Sequence, residues 1–406
     1  MQRRSLGLII GVMALFAVVG IGVTQLQGKS DTGSAYSADV IAALSSGDTS
    51  GFARALTVRD FKFPQDYGAH PDFQTEWWYY TGNVATADGR RFGYELTIFR
   101  RSLTPTAPER SSAWATNQLY LADFALTDVA GNKFYNTGRL SRGATGLAGA
   151  VITPDVRVWL ENWSMEAQNP DATTMRLRAD AGSDAPIALD LTTIQRKAPV
   201  LEGDRGLSAK SPTPGNASYY YSLTRLDTSG TLTVNGTPYT VTGNSWMDHE
   251  FSTSSLSKNA VGWDWFSLQL SDNREIMLYR IRLSDGTTES TSDGTLINAD
   301  GSSESFTLAQ FKIEPQATWR SPLSGAQYPS KWHLTVTPKT GAPITLDVTP
   351  LMSDQELHAT GTYWEGASSI SGMQGSTPFS GYGYVELTGY QPIAAGDSSK
   401  LPGSAQ

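Results

Sequence analysis

The sequence predicts an all-β protein made of two antiparallel barrels or strongly curved sheets. Three observations carry that expectation. Short strand-like runs punctuated by turn signals recur along the chain, sustained amphipathic helical periodicity is scarce, and two similar hairpin patterns open the two halves. Closing such sheets into barrels would remove exposed edges and could enclose a cavity. An ordinary two-domain β-sandwich is the competing architecture.

The first hairpin pattern is "TEWWYYTGNVATADGRRFGYELTIFRRSL", in which two runs bracket an Asp88-Gly89 turn. In its second run Phe92, Tyr94, Leu96 and Ile98 would share one side. Further runs follow at "NQLYLADFALTD", "VRVWLENWSMEAQ", "TTMRLRAD", "IALDLTTIQ", "SYYYSLTRLDTSGTLTVNG" and "TPYTVTGNSW". The second hairpin, "GWDWFSLQLSDNREIMLYRIR", repeats the order of the first: aromatic strand, polar turn, apolar strand ending in Arg. "KWHLTVTP", "ITLDVTP" and "HATGTYWEGASSISG" then complete a second unit. The expected division is a first domain over 52–254, a second over 255–398 and a short tail over 399–406.

The opening segment carries Arg3 and Arg4 before an uncharged apolar run from Leu6 to Val23. That pattern fits a signal peptide or an N-terminal membrane anchor over 1–28, followed by a flexible tether over 29–51. The protein is therefore expected to be exported, periplasmic or extracellular, either free or held to the cytoplasmic membrane by this segment. A formal net charge of −8 and the lack of a basic run argue against nucleic acid as a partner. Zero cysteine excludes disulfides, thiolate catalysis, sulfur-ligated zinc and Cys-ligated iron–sulfur clusters. No strand–helix alternation surrounds a glycine-rich phosphate loop, so no nucleotide or other cofactor is expected, and no protein partner is predicted.

Two constellations could carry chemistry. In "YGAHPDFQTEWWYY", His70 and Glu76 precede a run of four aromatic residues, and a carboxyl buried among rings is a candidate general acid. A rim carboxylate beside a packed core accounts for the same text. In "GNSWMDHEF", strand alternation would put Asp248 and Glu250 on one face and His249 on the other. Asp248 could donate a proton or orient His249, and a structural imidazole joining strand ends would use the same chemistry. The four histidines, which include His333 and His358, show no His-x-x-x-His spacing; a site built on His70 and His249 would need a carboxylate as third ligand, and no metal is expected. Ser245 lacks the Gly-x-Ser-x-Gly context of a nucleophile elbow.

Aromatic residues suggest a pocket wall. Trp77, Trp78 and Tyr80 on one run, Tyr94 on the next, Trp265 and Tyr279 on the second hairpin, and Trp364 and Tyr384 near the C-terminus are candidates to bind a hydrophobic small molecule or lipid. Core packing alone would use the same residues.

Taken as a set, "HPDFQTEWWYYTGNV", "GNSWMDHEFSTS" and "GYGYVELTGY" resemble the secreted AttH-like proteins, a group related to the carotenoid 1,2-hydratase (hydroxyneurosporene synthase) family. The resemblance spans nearly all of residues 55–392. It implies two lipocalin-like antiparallel β-barrel domains and addition of water to an isolated carbon–carbon double bond without a redox cofactor. It further implies Asp248 and His249 as proton-transfer residues, with Trp246, Tyr363 and Trp364 as pocket or cation-stabilising residues. The expected function is acid-catalysed water addition, or a lyase reaction, on a hydrophobic alkene-containing molecule. Noncatalytic carriage of a lipid or similar ligand is the alternative, and secreted hydrolysis a further one.

Overall fold

A computed structural model describes residues 49–107, 109–253 and 256–392. The expected signal or anchor over 1–28, the tether up to residue 48 and the tail over 399–406 lie outside the described residues. Among the described residues no helix is long and apolar enough to cross a membrane.

The first sheet contains β1 (Thr75–Ala85), β2 (Arg91–Ser102), β3 (Gln118–Asp128), β4 (Lys133–Arg142), β5 (Ala148–Val151), β6 (Arg157–Leu160), β7 (Trp163–Ala167), β8 (Thr174–Asp180), β9 (Ile187–Gln195), β10 (Val200–Leu201), β11 (Leu207–Ala209), β12 (Ala217–Val234) and β13 (Thr237–Ser252). Its order is β4-β3-β2-β1-β13-β12-β9-β8-β7-β6-β5, with β10 and β11 both pairing with β12. The two ends of this path approach without sharing a ladder. Arg139 on β4 spans the seam, donating to the Asp180 carbonyl at 2.9 Å and lying 4.5 Å above the Trp163 ring. The sheet is thus a nearly closed barrel.

β14 (Ala260–Leu270), β15 (Glu275–Leu283), β16 (Asp293–Ile297), β17 (Ser303–Thr307), β18 (Phe311–Arg320), β19 (Gln327–Val336), β20 (Ile344–Pro350), β21 (Glu356–His358), β22 (Thr362–Gln374) and β23 (Thr377–Leu387) form the second sheet. Its order is β17-β16-β15-β14-β23-β22-β20-β19-β18, with β21 added to β22. This corrects the expectation of two barrels: the second sheet curls but stays open between β17 and β18. Its terminal strand explains why. β18 carries Pro315 and register shifts around Ala317, and its outer half is largely exposed, all features that stop an edge from pairing further.

The first barrel is filled by alternate residues of its strands, among them Trp78, Tyr80, Tyr94, Phe124, Trp163 and Tyr221. Phe266, Trp332, Leu346, Trp364 and Val385 fill the concave side of the second sheet. A third buried layer joins the sheets through Tyr79, Tyr220, Trp246, Trp265, Tyr279 and Tyr384. Polar bonds pin it. Asn83 donates to the Gly383 carbonyl at 3.0 Å, Gln269 to the Ser245 carbonyl at 2.9 Å, and Lys197 to Glu275 at 2.7 Å.

Candidate functional site

β1, β13 and β12 lie side by side, and alternation sorts their side chains onto two faces. Trp78 stands opposite His249 and both face the barrel interior; Tyr79 opposes Asp248 and Trp77 opposes Glu250, all four facing the second sheet. On β12, Tyr220 and Ser222 join the outward face beside Asp248, while Tyr221 joins the interior beside His249. A register shift between Leu223 and Leu226 then lets Leu226, an even-numbered position, rejoin the interior core.

Between the two sheets the outward face encloses a cavity of about 340 Å³, within the range used by small-molecule sites. Trp77, Phe99, Leu121, Trp263, Trp265 and Ile281 give it apolar walls. Tyr79, Tyr220, Tyr279 and Tyr363 add rings with hydroxyls, and Asp123, Asp248, Glu250, Glu365 and Glu386 add carboxyls. Leu140, largely exposed on β4, marks the opening.

Asp248 is buried among three donors. Ser222 Oγ and Trp246 Nε1 each donate to Oδ1 at 2.6 Å, and the Tyr220 hydroxyl donates to Oδ2 at 2.6 Å. Trp265 Nε1 in turn donates to the Tyr220 oxygen at 3.1 Å. Burial pushes the Asp248 carboxyl up to about 7, against the pull of its three donors. Its neighbours behave alike: burial raises Glu386 to about 8, Glu202 to about 8, Asp293 to about 7 and Asp123 to about 6. Glu365 is driven well above the carboxylate range by burial and by Glu386 and Glu95. The layer between the sheets is therefore an array of acids that hold protons near neutrality.

The barrel interior holds a different cluster. His70 Nδ1 and His249 Nε2 lie 2.8 and 2.9 Å from the same Glu76 oxygen, and Arg100 Nε donates to the other at 2.7 Å. His70 Nε2 lies 2.8 Å from Asp66, and His249 Nδ1 lies 2.7 Å from the Tyr221 hydroxyl. Burial opposes the Glu76 charge, but Arg100 and the two imidazoles hold the carboxyl well below its usual range. Burial also disfavours charge on both histidines; bonds to Asp66 and Glu76 nevertheless raise His70, whereas His249 is lowered. A charged His70 thus donates to both carboxylates. His249 gives Nε2–H to Glu76, and its Nδ1 faces the Tyr221 hydroxyl, which also donates to the Asp66 carbonyl at 2.9 Å.

The donor atoms of His70, Glu76 and His249 lie within 4.8 Å of one another, so a metal ion is geometrically conceivable there, with Glu76 as the carboxylate ligand that the histidine spacing demanded. Yet these atoms already form direct hydrogen bonds, and the Arg100 guanidinium occupies the remaining Glu76 oxygen. A cation would have to displace protons beside a fixed positive charge. The arrangement fits an ion-pair network better than a metal cradle.

The residues singled out in the sequence are therefore split. His70, Glu76 and His249 converge, but inside the barrel; Asp248 faces the cavity without them. Trp77, Trp265, Tyr279 and Tyr363 line the cavity. Trp246 and Tyr384 sit in the adjoining layer. Trp78, Tyr80 and Tyr94 pack in the barrel core, and Trp364 packs under the second sheet with Nε1 bonded to the Ser353 carbonyl at 2.9 Å. Alternation turns these four away from the cavity. Sequence reasoning missed Tyr220, Glu365, Glu386 and Asp123, and gave Tyr79 no role; alternation from Trp77 was the one available signal, and it pointed to Tyr79. Ser245 bonds to Tyr94 and Thr228 on the barrel-facing side, away from the cavity.

Residues 54–390 match the sequence pattern of the AttH-like family. A crystal structure of a putative AttH from Nitrosomonas europaea is 34% identical, covers 84% of this chain and 100% of its own, and superposes with a TM-score of 0.73. Kievitone hydratase from Nectria haematococca shares the fold at 17% identity, with 84% of this chain and 97% of its own covered and a TM-score of 0.61. CghA, in a crystal structure with Sch210972, shares it at 11% identity, 85% and 97% coverage and a TM-score of 0.52. No curated protein sequence matches the chain. With its pattern matched from residue 54 to residue 390, the chain belongs to the AttH-like family.

Proposed function

We propose that this protein adds water to, or removes it from, a hydrophobic alkene-bearing small molecule held in the cavity between the two sheets. The observation that carries this reading is Asp248, a carboxyl held in its acid form up to about pH 7 and facing an aromatic chamber. Likeness of fold to kievitone hydratase accords with it.

Ser222 and Trp246 occupy Oδ1, so the acid proton resides on Oδ2, the oxygen shared with Tyr220. In the addition direction Oδ2–H transfers its proton to one alkene carbon, while the Tyr220 hydroxyl, already donating to Oδ2, steadies the carboxylate that remains. The π pair becomes the new carbon–hydrogen bond, and positive charge develops on the neighbouring carbon. The faces of Trp77, Tyr79 and Trp265 stabilise that charge. A water molecule then forms the carbon–oxygen bond, and its surplus proton returns to Asp248. Atoms and charge balance with no redox partner. His249 lies on the other face of β13, bonded to Glu76, and does not reach the substrate.

Family membership supports export, and the apolar opening segment of the sequence accords with it; an exported cavity would meet membrane-derived or secreted apolar molecules. Incubation with a panel of apolar alkenes in oxygen-labelled water, read by mass spectrometry, tests the reading. Labelled alcohol that requires Asp248 supports it. Retention of an unchanged ligand, with no label incorporated across the panel, would favour a carrier.

A further inference from the structure

Glu365 on β22 and Glu386 on β23 stand directly opposite each other across an antiparallel ladder and both face the cavity. Two acids in that relation repel when ionised. Among the described residues no ion pair joins a basic side chain to either acid: of the lining cations, Arg100 is committed to Glu76 at 2.7 Å and Lys210 to Glu250 at 3.2 Å, and Arg101 donates to the Thr75 hydroxyl at 3.0 Å. Glu365 is fully buried. Its Oε2 accepts from the Tyr79 hydroxyl at 2.8 Å, and its Oε1 has no partner. Glu386 Oε1 accepts from Trp263 Nε1 at 2.9 Å, while the residue keeps some accessible surface because it opens onto the cavity. The same acid pair is thus framed by the rings of Tyr79, Trp263 and Tyr363. Apolar volume, electron-rich faces and uncompensated carboxyls together describe a receptor for an organic cation.

We propose that the cavity binds lipophilic monocations of the tertiary or quaternary ammonium class, with the charge held between Glu365 and Glu386. The proposal rests on the same chamber as the hydratase reading, since walls that steady a transient carbocation also hold a stable cation.

Binding is coupled to proton release. Both carboxyls hold protons at neutral pH, Glu386 up to about 8, and a bound cation favours the ionised form. The groups facing the pair reinforce this: Glu95 on β2, Asp123 on β3, and Asp248 and Glu250 on β13 are all acidic. The Tyr79, Tyr363 and Tyr384 hydroxyls are kept protonated by burial and supply no positive charge. Of the cations that line the cavity, Lys210 stays with Glu250, Arg100 with Glu76, and Arg101 bonds to the Thr75 hydroxyl. A neutral ligand that accepts hydrogen bonds from the acid forms would show the opposite pH trend.

The test compares the hexyl analogue of choline with the neutral alcohol that has carbon in place of its nitrogen, by calorimetry on the whole protein. The cation is expected to bind about tenfold more tightly, in line with a desolvated cation among rings and carboxyls. Its affinity should rise by up to about tenfold per pH unit below pH 8, one proton leaving per cation bound. Glu365→Gln with Glu386→Gln should abolish the difference while keeping the fold, because Gln has the shape of the acid form that burial already favours. Equal binding of cation and isostere, or a preference that survives in the double variant, overturns the proposal. Cation preference without water addition would leave it standing and remove the hydratase reading; water addition without cation preference would do the reverse.

Discussion

Tyr79 stands directly across the β1–β13 ladder from Asp248 while its hydroxyl donates a 2.8 Å hydrogen bond to Glu365 of the second sheet. One side chain thereby links the candidate acid of the first barrel to the acid pair of the second sheet. Tyr79→Phe keeps the ring and deletes the link, leaving Glu365 with both oxygens unbonded. Loss of stability of about 1–3 kcal/mol is expected, the cost of stranding a buried polar group, and urea unfolding at neutral pH checks it.

Protonated carboxyls between the sheets make stability depend on pH in a definite direction. A carboxyl whose folded pKa is raised stabilises the fold fully below its unfolded value, and that contribution is lost as pH rises through the folded value. For Asp248 the window runs from about 4, the unfolded value, to about 7. Asp248→Asn removes this titration. Relative to the native protein, the variant should gain stability as pH rises across that window, by a few kcal/mol at most, and show no further gain above it. Urea midpoints for both proteins from pH 4 to pH 9 measure the difference; parallel profiles would mean that Asp248 is ionised in the fold.

The barrel-interior cluster responds in the other sense. Glu76 is held ionised by Arg100 and the imidazoles, so its contribution is present above the unfolded value of about 4.3 and lost as pH falls below it. Glu76→Gln leaves Arg100 buried without its anion, at a cost of about 3–5 kcal/mol. If hydrogen bonds rather than a metal hold the cluster, the purified protein should carry no stoichiometric zinc, and chelator should leave its melting temperature unchanged. A stoichiometric metal lost together with several degrees of stability would contradict the ion-pair description.

Much of this was legible residue by residue. The Asp88-Gly89 turn joins β1 to β2, with Gly89 at φ +90°, and the second hairpin pattern became β14 and β15. Alternation in "WMDHEF" correctly set Asp248 and Glu250 apart from His249. The same rule argued against pairing Asp248 with His249 in one reaction centre, a pairing the family resemblance encouraged. Partnerships across sheets were beyond reach. Glu365 and Glu386 lie in the quoted "TYWEG" and "GYGYVELTGY" runs, but periodicity says which residues share a face and not which distant face lies opposite. Trp78, Tyr80 and Trp364 carry the same apolar rings as Trp77 and Trp265, so composition could not tell core from cavity wall. The open edge of the second sheet lies at β18, with its Pro315, in a stretch between the two quoted runs "GWDWFSLQLSDNREIMLYRIR" and "KWHLTVTP" that the strand reading did not cover.

The most direct test of the central claim is oxygen incorporation from labelled water into an apolar alkene by the native protein and by a folded Asp248→Asn variant. A carboxyl acting as general acid contributes about 10²–10⁴-fold, so the native protein should incorporate label and the variant should lose nearly all of it. Undiminished incorporation by folded Asp248→Asn would place the chemistry elsewhere.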